Sequence, residues 1–431
     1  MVLVAGMASG QGKTTVTAAL ARRLMREGLR VRVFKTGPDY LDPMILQRAC
    51  GSEVYALDLW MVGLDACKRL LAEAAQEADV VLIEGVMGLY DGDPSSADLA
   101  QAFGVPVVTV IDAGKMAATV GAVVHGLQHY GPVQLAGVIL NRIASTSHRA
   151  QIEPALRDVP LLAHLPKLAE SLPERHLGLV QPDEVAKLDE ILDRLADRIE
   201  LDMHAWQAMP SVHIDRIPAA EPLPQKLAGR RIAVARDAAF AFVYHANLAC
   251  LRALGAEVVF FSPLNDEPLP EGTDGVYIPG GYPELHCATL AEAKRWQASM
   301  RTAHAQQVPI LAECGGMMAM TESITDAQGK TWPMAGLLPG RITMHPKLAG
   351  LGMQWLTTDE GELRGHAFHY STLQTTLPSI AQTVTRTKGK TGESLYRHGS
   401  LTATYFHAYF ASCPAATARL FFRQDSQQEK S

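Results

Sequence analysis

The stretch Gly6-Met-Ala-Ser-Gly10-Gln-Gly12-Lys13-Thr14-Thr15 restricts what this chain can fold into more than any other part of it. An apolar run, Val2–Ala5, precedes it, and a helical pattern, Val16–Arg26, follows. A glycine-rich loop between a buried strand and a helix gathers backbone N–H groups at a helix N-terminus, which is an anion site. Gly10, Gly12, Lys13, Thr14 and Thr15 are therefore the candidate ATP-binding residues. Lys13 would bridge the terminal phosphates, and the Thr14 hydroxyl would be offered to Mg2+, the expected cofactor. Such a loop needs a parallel sheet with helices on its faces around it.

Short β-branched runs at Val31–Lys35, Val80–Glu84, Val107–Ile111, Ala136–Leu140 and Leu161–Leu165 supply that sheet, alternating with amphipathic stretches; a last helix is expected near Glu184–Leu201. Residues 1–201 thus read as one α/β domain. Pro210, Pro218, Pro222 and Pro224 dissolve the pattern over 202–230, which reads as a linker. Strands expected at Arg231–Ala235, Glu257–Phe261, Gly275–Ile278 and Pro309–Ala312 make 231–431 a second α/β domain. With 48% hydrophobic and 19% charged residues, the chain has the make-up of an ordered globular enzyme. A net charge of −6 with scattered Lys and Arg leaves no basic block for nucleic acid or anionic lipid. The apolar start runs straight into the glycine loop, so neither a signal nor a membrane anchor is expected. Six cysteines without a CxxC pair signal neither disulfides nor zinc, and fit a reducing cytoplasm.

Around the phosphate loop, Glu84 ends a strand and is followed by Gly85 and by Gly88-Leu-Tyr-Asp91-Gly92. A strand-end acid beside a glycine-rich loop is suited to Mg2+, which takes carboxylate and water oxygens next to phosphates. Asp39 and Asp42 lie on a Pro/Gly-bounded loop after the second strand, either a ligand loop of the kind α/β sheets place there or an ordinary turn. Asn141, just past the strand Ala136–Leu140, either reads an adenine edge with its amide or is a loop asparagine without a role. Thr14, Asp42 and Glu84 are the candidate metal ligands.

In the second half, Val308-Pro-Ile-Leu-Ala-Glu-Cys314-Gly-Gly-Met is an apolar strand turning sharply into a helix. Such an elbow exposes a nucleophile, and the helix N-terminus is expected to lower the Cys314 pKa. Gly280 and Gly281 form a second glycine turn whose N–H groups would hold an oxyanion. The thiol needs a base; spacing does not choose among 15 histidines.

Several stretches together resemble the cobyrinate a,c-diamide synthase family across nearly the whole chain. They are Ser9–Thr15, whose loop, one residue longer than the plainest pattern, is similar to that of dethiobiotin synthetase; Phe34–Pro43; Glu84–Gly92; Leu172–Leu179; Pro279–Glu284; Ala312–Gly316; and Gly365–Ser371. The resemblance implies a P-loop domain with a dethiobiotin synthetase-like parallel sheet joined to a class I glutamine amidotransferase-like domain. It implies His407 as the base for Cys314, and release of ammonia from glutamine through a glutamyl thioester. It also implies ATP-driven activation of corrinoid a and c acetates as acyl phosphates in cobalamin biosynthesis. Asp39, Tyr40 and Leu41 match the loop that approaches corrinoid and metal. Asp91 matches an acid near phosphoryl transfer, and Arg175 and His176 match a characteristic stretch that could pair with substrate carboxylates. The implied partners are ATP, glutamine and a tetrapyrrole polycarboxylate, with a homodimer among the expected states. Two positions depart from the pattern: Tyr409 stands where many such amidotransferases carry a Glu after the catalytic His, and Ala367 where the family often has Glu. Hydrogenobyrinate and nickel sirohydrochlorin are rival substrates. A P-loop ATPase carrying an inert amidotransferase-like module is the rival of another class.

Overall fold

β-branched runs that are apolar on both faces can only be buried between two layers, and the central strands here are. The computed structural model describes residues 1–168, 172, 174–175, 178–215, 217–387 and 389–423 (backbone only at 174, 175, 178, 179 and 183), and the chain forms two compact units, Met1–Ala220 and Glu221–Ser431. The first unit has β1 (Val2–Gly6), β2 (Val31–Thr36), β3 (Tyr55–Leu57), β4 (Val80–Glu84), β5 (Val107–Asp112), β6 (Leu135–Ile143), β7 (Leu161–Pro166), β8 (Glu174–Arg175), β9 (Gly178–Leu179) and β10 (Glu200–Leu201). Eight of these form one sheet in the order β10-β7-β6-β5-β1-β4-β2-β3, in which only β10 runs antiparallel to its neighbour.

The strands expected in this unit are present: β1, β2, β5 and β7 run one residue longer, β6 four longer, and β4 as expected. The expected helix Glu184–Leu201 is shorter: a 3-10 turn at Pro182–Glu184, a helix over Leu188–Arg198, then β10. Pro182 starts the 3-10 turn, and Ile199 leaves the helix in an extended conformation, so the chain turns back to pair with β7. Because β1 to β7 run parallel, Gly6, Thr36, Glu84, Asp112 and Asn141 all come to one edge of the sheet. That carboxyl edge is where open α/β sheets bind ligands.

The second unit holds β11 (Arg231–Ala235), β12 (Glu257–Phe261), β13 (Gly275–Ile278), β14 (Ile310–Glu313), β15 (Thr321–Thr325), β16 (Thr331–Pro333), β17 (Leu338–Met344), β18 (Gly350–Thr358), β19 (Gly361–His369), β20 (Ser371–Gln374), β21 (Ser379–Thr385), β22 (Thr391–His398), β23 (Leu401–Thr404) and β24 (His407–Ala408). A ten-stranded sheet runs β12-β11-β13-β14-β23-β22-β21-β18-β19-β24, and β16-β15-β17-β20 form a separate one. From β12 to β23 the pairing is parallel; beyond β23 it is antiparallel. The antiparallel extension brings β24 back beside β19, with His366 opposite His407.

Candidate active sites

The phosphate loop leaves β1 at Gly6 and enters the helix Lys13–Arg26. Gly12 sits at φ 82°, and a Cβ there would lie 2.2 Å from Asn141 Nδ2, so no other residue fits both the backbone and the space. Gly10, at φ 78°, makes the preceding left-handed step. Asn141 Nδ2 donates to Gln11 O at 2.9 Å, its Oδ1 accepts the Arg142 N–H at 2.9 Å, and Gln11 Oε1 accepts the Asp112 N–H at 2.9 Å. The loop is thereby tied to the ends of β5 and β6. The Asn141 amide, expected either to read an adenine edge or to have no role, thus braces the phosphate loop through its Nδ2.

Lys13 Nζ donates to Ala8 O at 3.0 Å and to Met87 O at 2.6 Å, and burial followed by the nearby Lys35 lowers its pKa. Thr15 is half-buried in the first turn of the helix. Met87 belongs to the loop after β4, which Asp91 shapes by accepting the Gly88 N–H at 3.0 Å.

At the end of β4, Glu84 is completely buried. Its Oε1 accepts from Thr14 Oγ1 at 2.7 Å and from Lys35 Nζ at 2.8 Å, while Oε2 meets no hydrogen-bond partner among the described residues. Lys35 Nζ also lies 2.8 Å from Asp42 and 4.0 Å from Asp39. Asp39 Oδ1 in turn accepts the N–H groups of Leu41 and Asp42, opening the helix Leu41–Cys50, and the Tyr40 and Leu41 side chains are buried. Burial works against the Lys35 charge, but Glu84, Asp42 and Asp39 outweigh it and hold its pKa above the usual lysine value. Burial and the neighbouring Asp42 push Asp39 up to about 7, whereas Asp42, though buried, is held down by Lys35. Burial raises Glu84.

Lys35 is not distinguished by sequence, where a lysine near the end of an apolar strand looks like a strand-edge charge; its complete enclosure by three acids is a tertiary fact. Among the described residues no group of three or more His, Cys, Asp or Glu is arranged to cage a metal. The orphaned Glu84 Oε2, the Thr14 hydroxyl and Asp42 instead supply one edge of hard oxygens, which suits Mg2+ shared with phosphates and water. Of the remaining expected residues, Arg175 lies in β8 with only its backbone described, and His176 lies outside the described residues.

In the second unit Cys314 follows β14 at φ 47°, a strained conformation for a residue with a side chain, and the helix Gly315–Met320 starts at once. Its N–H donates to Thr404 O at 2.7 Å, locking the elbow onto β23. The His407 ring lies over Gly280, where a Cβ would sit 2.3 Å from its Cε1, and Gly281 in turn lies against Gly315. Thus Cys314, His407, Gly280 and Gly281 gather at one place. His366 stacks on His407, ring centroids 4.9 Å apart at 11°, a neighbour that only the β19–β24 pairing reveals.

The expectation of a lowered Cys314 pKa is not met: burial, then the Glu284 carboxylate, push the thiol up, and the bond from the Gly315 N–H opposes them without prevailing. A helix of six residues has little dipole to offer. Burial, with His366 and His369, holds the His407 pKa well below the usual histidine value.

Two family descriptions match the sequence. Residues 2–180 match the CobQ/CobB/MinD/ParA nucleotide binding domain, and residues 231–415 the CobB/CobQ-like glutamine amidotransferase domain. The chain is similar to a cobyrinate a,c-diamide synthase from Herminiimonas arsenicoxydans, 70% identical over 98% of this chain and 96% of the relative. It is similar to a hydrogenobyrinate a,c-diamide synthase from Pseudomonas aeruginosa, 51% identical over 97% and 96%. A cobyrinate a,c-diamide synthase from Thermoplasma volcanium is 37% identical over 95% and 94%.

Proposed function

This chain belongs to the cobyrinate a,c-diamide synthase family, and from that premise we propose that it converts the a and c acetates of cobyrinate to amides with ATP and glutamine. It is a glutamine-dependent ligase. The observation that carries the reading is that a chain aligned end to end with cobyrinate synthases has Cys314, His407 and the Gly280–Gly281 turn gathered in one unit and Thr14 on Glu84 in the other. Cobyrinate is placed ahead of hydrogenobyrinate because the 70% identical relative bears its name and the 51% identical one does not.

In the domain read as residues 231–431, the Cys314 thiol gives its proton to His407 while sulfur attacks the glutamine amide carbon. Backbone N–H groups of the Gly280–Gly281 turn and the elbow hold the oxyanion. The C–N bond breaks, His407 returns the proton to the departing nitrogen, and water releases glutamate from the thioester. In the domain read as residues 1–201, a substrate carboxylate oxygen attacks the γ-phosphorus, ADP leaves, and ammonia displaces phosphate from the acyl phosphate. Residues 202–230 are read as the linker.

Lys13 exchanges its two carbonyl partners for phosphate oxygens. Gly10, Gly12, Thr14 and Thr15 cradle the phosphates, and Asn141 contributes by fixing the loop. Thr14, Asp42 and Glu84 would hold Mg2+, which neutralises phosphate charge when bound. Asp39 and Asp91, with Tyr40, Leu41, Arg175 and His176, are assigned to the substrate side. No helix among the described residues is long and apolar enough to cross a membrane, and we place the reaction in the cytoplasm.

The purified chain, given ATP, Mg2+ and glutamine with cobyrinate, hydrogenobyrinate or nickel sirohydrochlorin, is expected to yield a diamide of cobyrinate by mass spectrometry. Amidation of none of the three would overturn the reading, and preference for one of the others would correct the substrate.

A further inference from the structure

Position 409, two residues after His407, is a tyrosine rather than an acid. An acid reaches the same segment through space. Glu313, immediately before the nucleophile, is buried; its Oε1 accepts the Ala408 N–H at 3.1 Å and its Oε2 accepts the Tyr277 hydroxyl at 2.7 Å. Asn247 closes the other side, with Nδ2 donating to Ala408 O at 2.8 Å and Oδ1 accepting the Phe410 N–H at 2.8 Å. Both backbone polar groups of the residue after His407 are therefore held by buried side chains. β24 has only two residues and lies at the edge of its sheet, so its ladder alone gives the histidine little support.

We infer that Glu313, together with Asn247, is the positioning element that fixes His407 relative to Cys314. The inference rests on Cys314 and His407 being nucleophile and base. Glu313 shares a peptide bond with Cys314 while its carboxyl oxygen grips the peptide N–H next to His407, so one side chain spans the two reacting residues. A nucleophile and base displaced by about 1 Å lose about 10²-fold in rate. Burial pushes Glu313 up to about 8, so the hold does not depend on a full negative charge, and a neutral amide of the same shape can replace it.

The test uses the full chain, with glutamine and then ammonium chloride as nitrogen source. Absence of glutaminase activity in the wild-type protein would refute the nucleophile–base reading itself. With that activity present, Glu313→Ala is expected to lower kcat with glutamine about 10²-fold while KM for glutamine and the ammonia-driven rate stay within about threefold. Glu313→Gln, which keeps an acceptor for the Ala408 N–H, is expected to recover kcat to within about threefold. Wild-type kcat in Glu313→Ala, or a Glu313→Gln enzyme as slow as the alanine variant, overturns the inference. Should Glu313→Ala fail to fold, seen as loss of the ammonia-driven rate as well, Asn247→Asp decides. It removes the donor to Ala408 O and must slow the glutamine-driven reaction alone; wild-type kcat there overturns the inference equally.

Discussion

Lys35 holds together a group of acids that could not be buried without it. Three carboxylates face its ammonium, one of them completely enclosed. Removing the cation from such a cluster leaves uncompensated buried charge, worth about 3–5 kcal/mol. Lys35→Met is expected to lose that much stability in urea unfolding at neutral pH, and a loss under about 1 kcal/mol would mean the acids simply take up protons instead. Lys13 is a different case, since its present partners are two carbonyls that phosphate would replace. Lys13→Ala should weaken ATP binding by about 10²-fold in calorimetry, the loss of a charged hydrogen bond or two; unchanged affinity would remove the loop from the nucleotide site. Glu313 makes stability depend on pH. Its folded pKa is raised from near 4.5 to about 8, so its contribution is complete below about 4.5 and is lost as pH rises through about 8. Glu313→Gln should therefore gain on the wild type as pH rises from 5 to 9, by up to about 1.4 kcal/mol per unit, in parallel thermal melts; a constant difference would show that Glu313 titrates normally.

Strand ends, more than strand interiors, decide what the first unit can bind. β4, β5 and β6 deliver Glu84, Asp112 and Asn141 to one edge because they are parallel and in register, and alternating β-branched runs make that edge readable from sequence. What the runs do not encode is how the loop is fastened. Asn141 looks available to a ligand in the sequence, yet the register of β5 against β6 turns its amide onto the loop carbonyl of Gln11. Asn141→Ala should accordingly reduce ATP affinity by roughly tenfold through a looser loop. Its effect contrasts with Ser95→Ala, which breaks the capping box of the helix Ser96–Phe103 and should cost about 1 kcal/mol of stability with ATP affinity intact. Equal effects of the two on binding would mean that the Asn141 tie has no special part. In the second unit β11 to β14 are equally legible, whereas β15 and every strand after it are not. Consequently the neighbours of His407 stay hidden: His366 comes from β19 and Glu313 from β14, and no local periodicity links either to β24. Burial of Cys314, which reverses the expected direction of its pKa, is hidden for the same reason.

At the scale of the chain, the two units carry chemistries that can be switched off separately. Ammonia is the only product of the second unit that the first consumes, so an external supply should bypass Cys314 but not Lys13. Cys314→Ser is therefore expected to lower the glutamine-driven amidation rate by more than about 10³-fold while leaving the ammonium-driven rate within about twofold of wild type. Lys13→Ala should slow both alike, because either nitrogen donor needs the acyl phosphate that ATP supplies. The order of loss matters more than its size. If Cys314→Ser lost the ammonium-driven reaction too, the thiol would have to serve the carboxylate-activating step and the division of labour would be wrong. If ATP turnover in the wild-type chain ignored glutamine and ammonia alike, the second unit would be an inert binding module on an ATPase, whatever its elbow looks like. Rates measured with both nitrogen donors on the same three proteins decide among these outcomes.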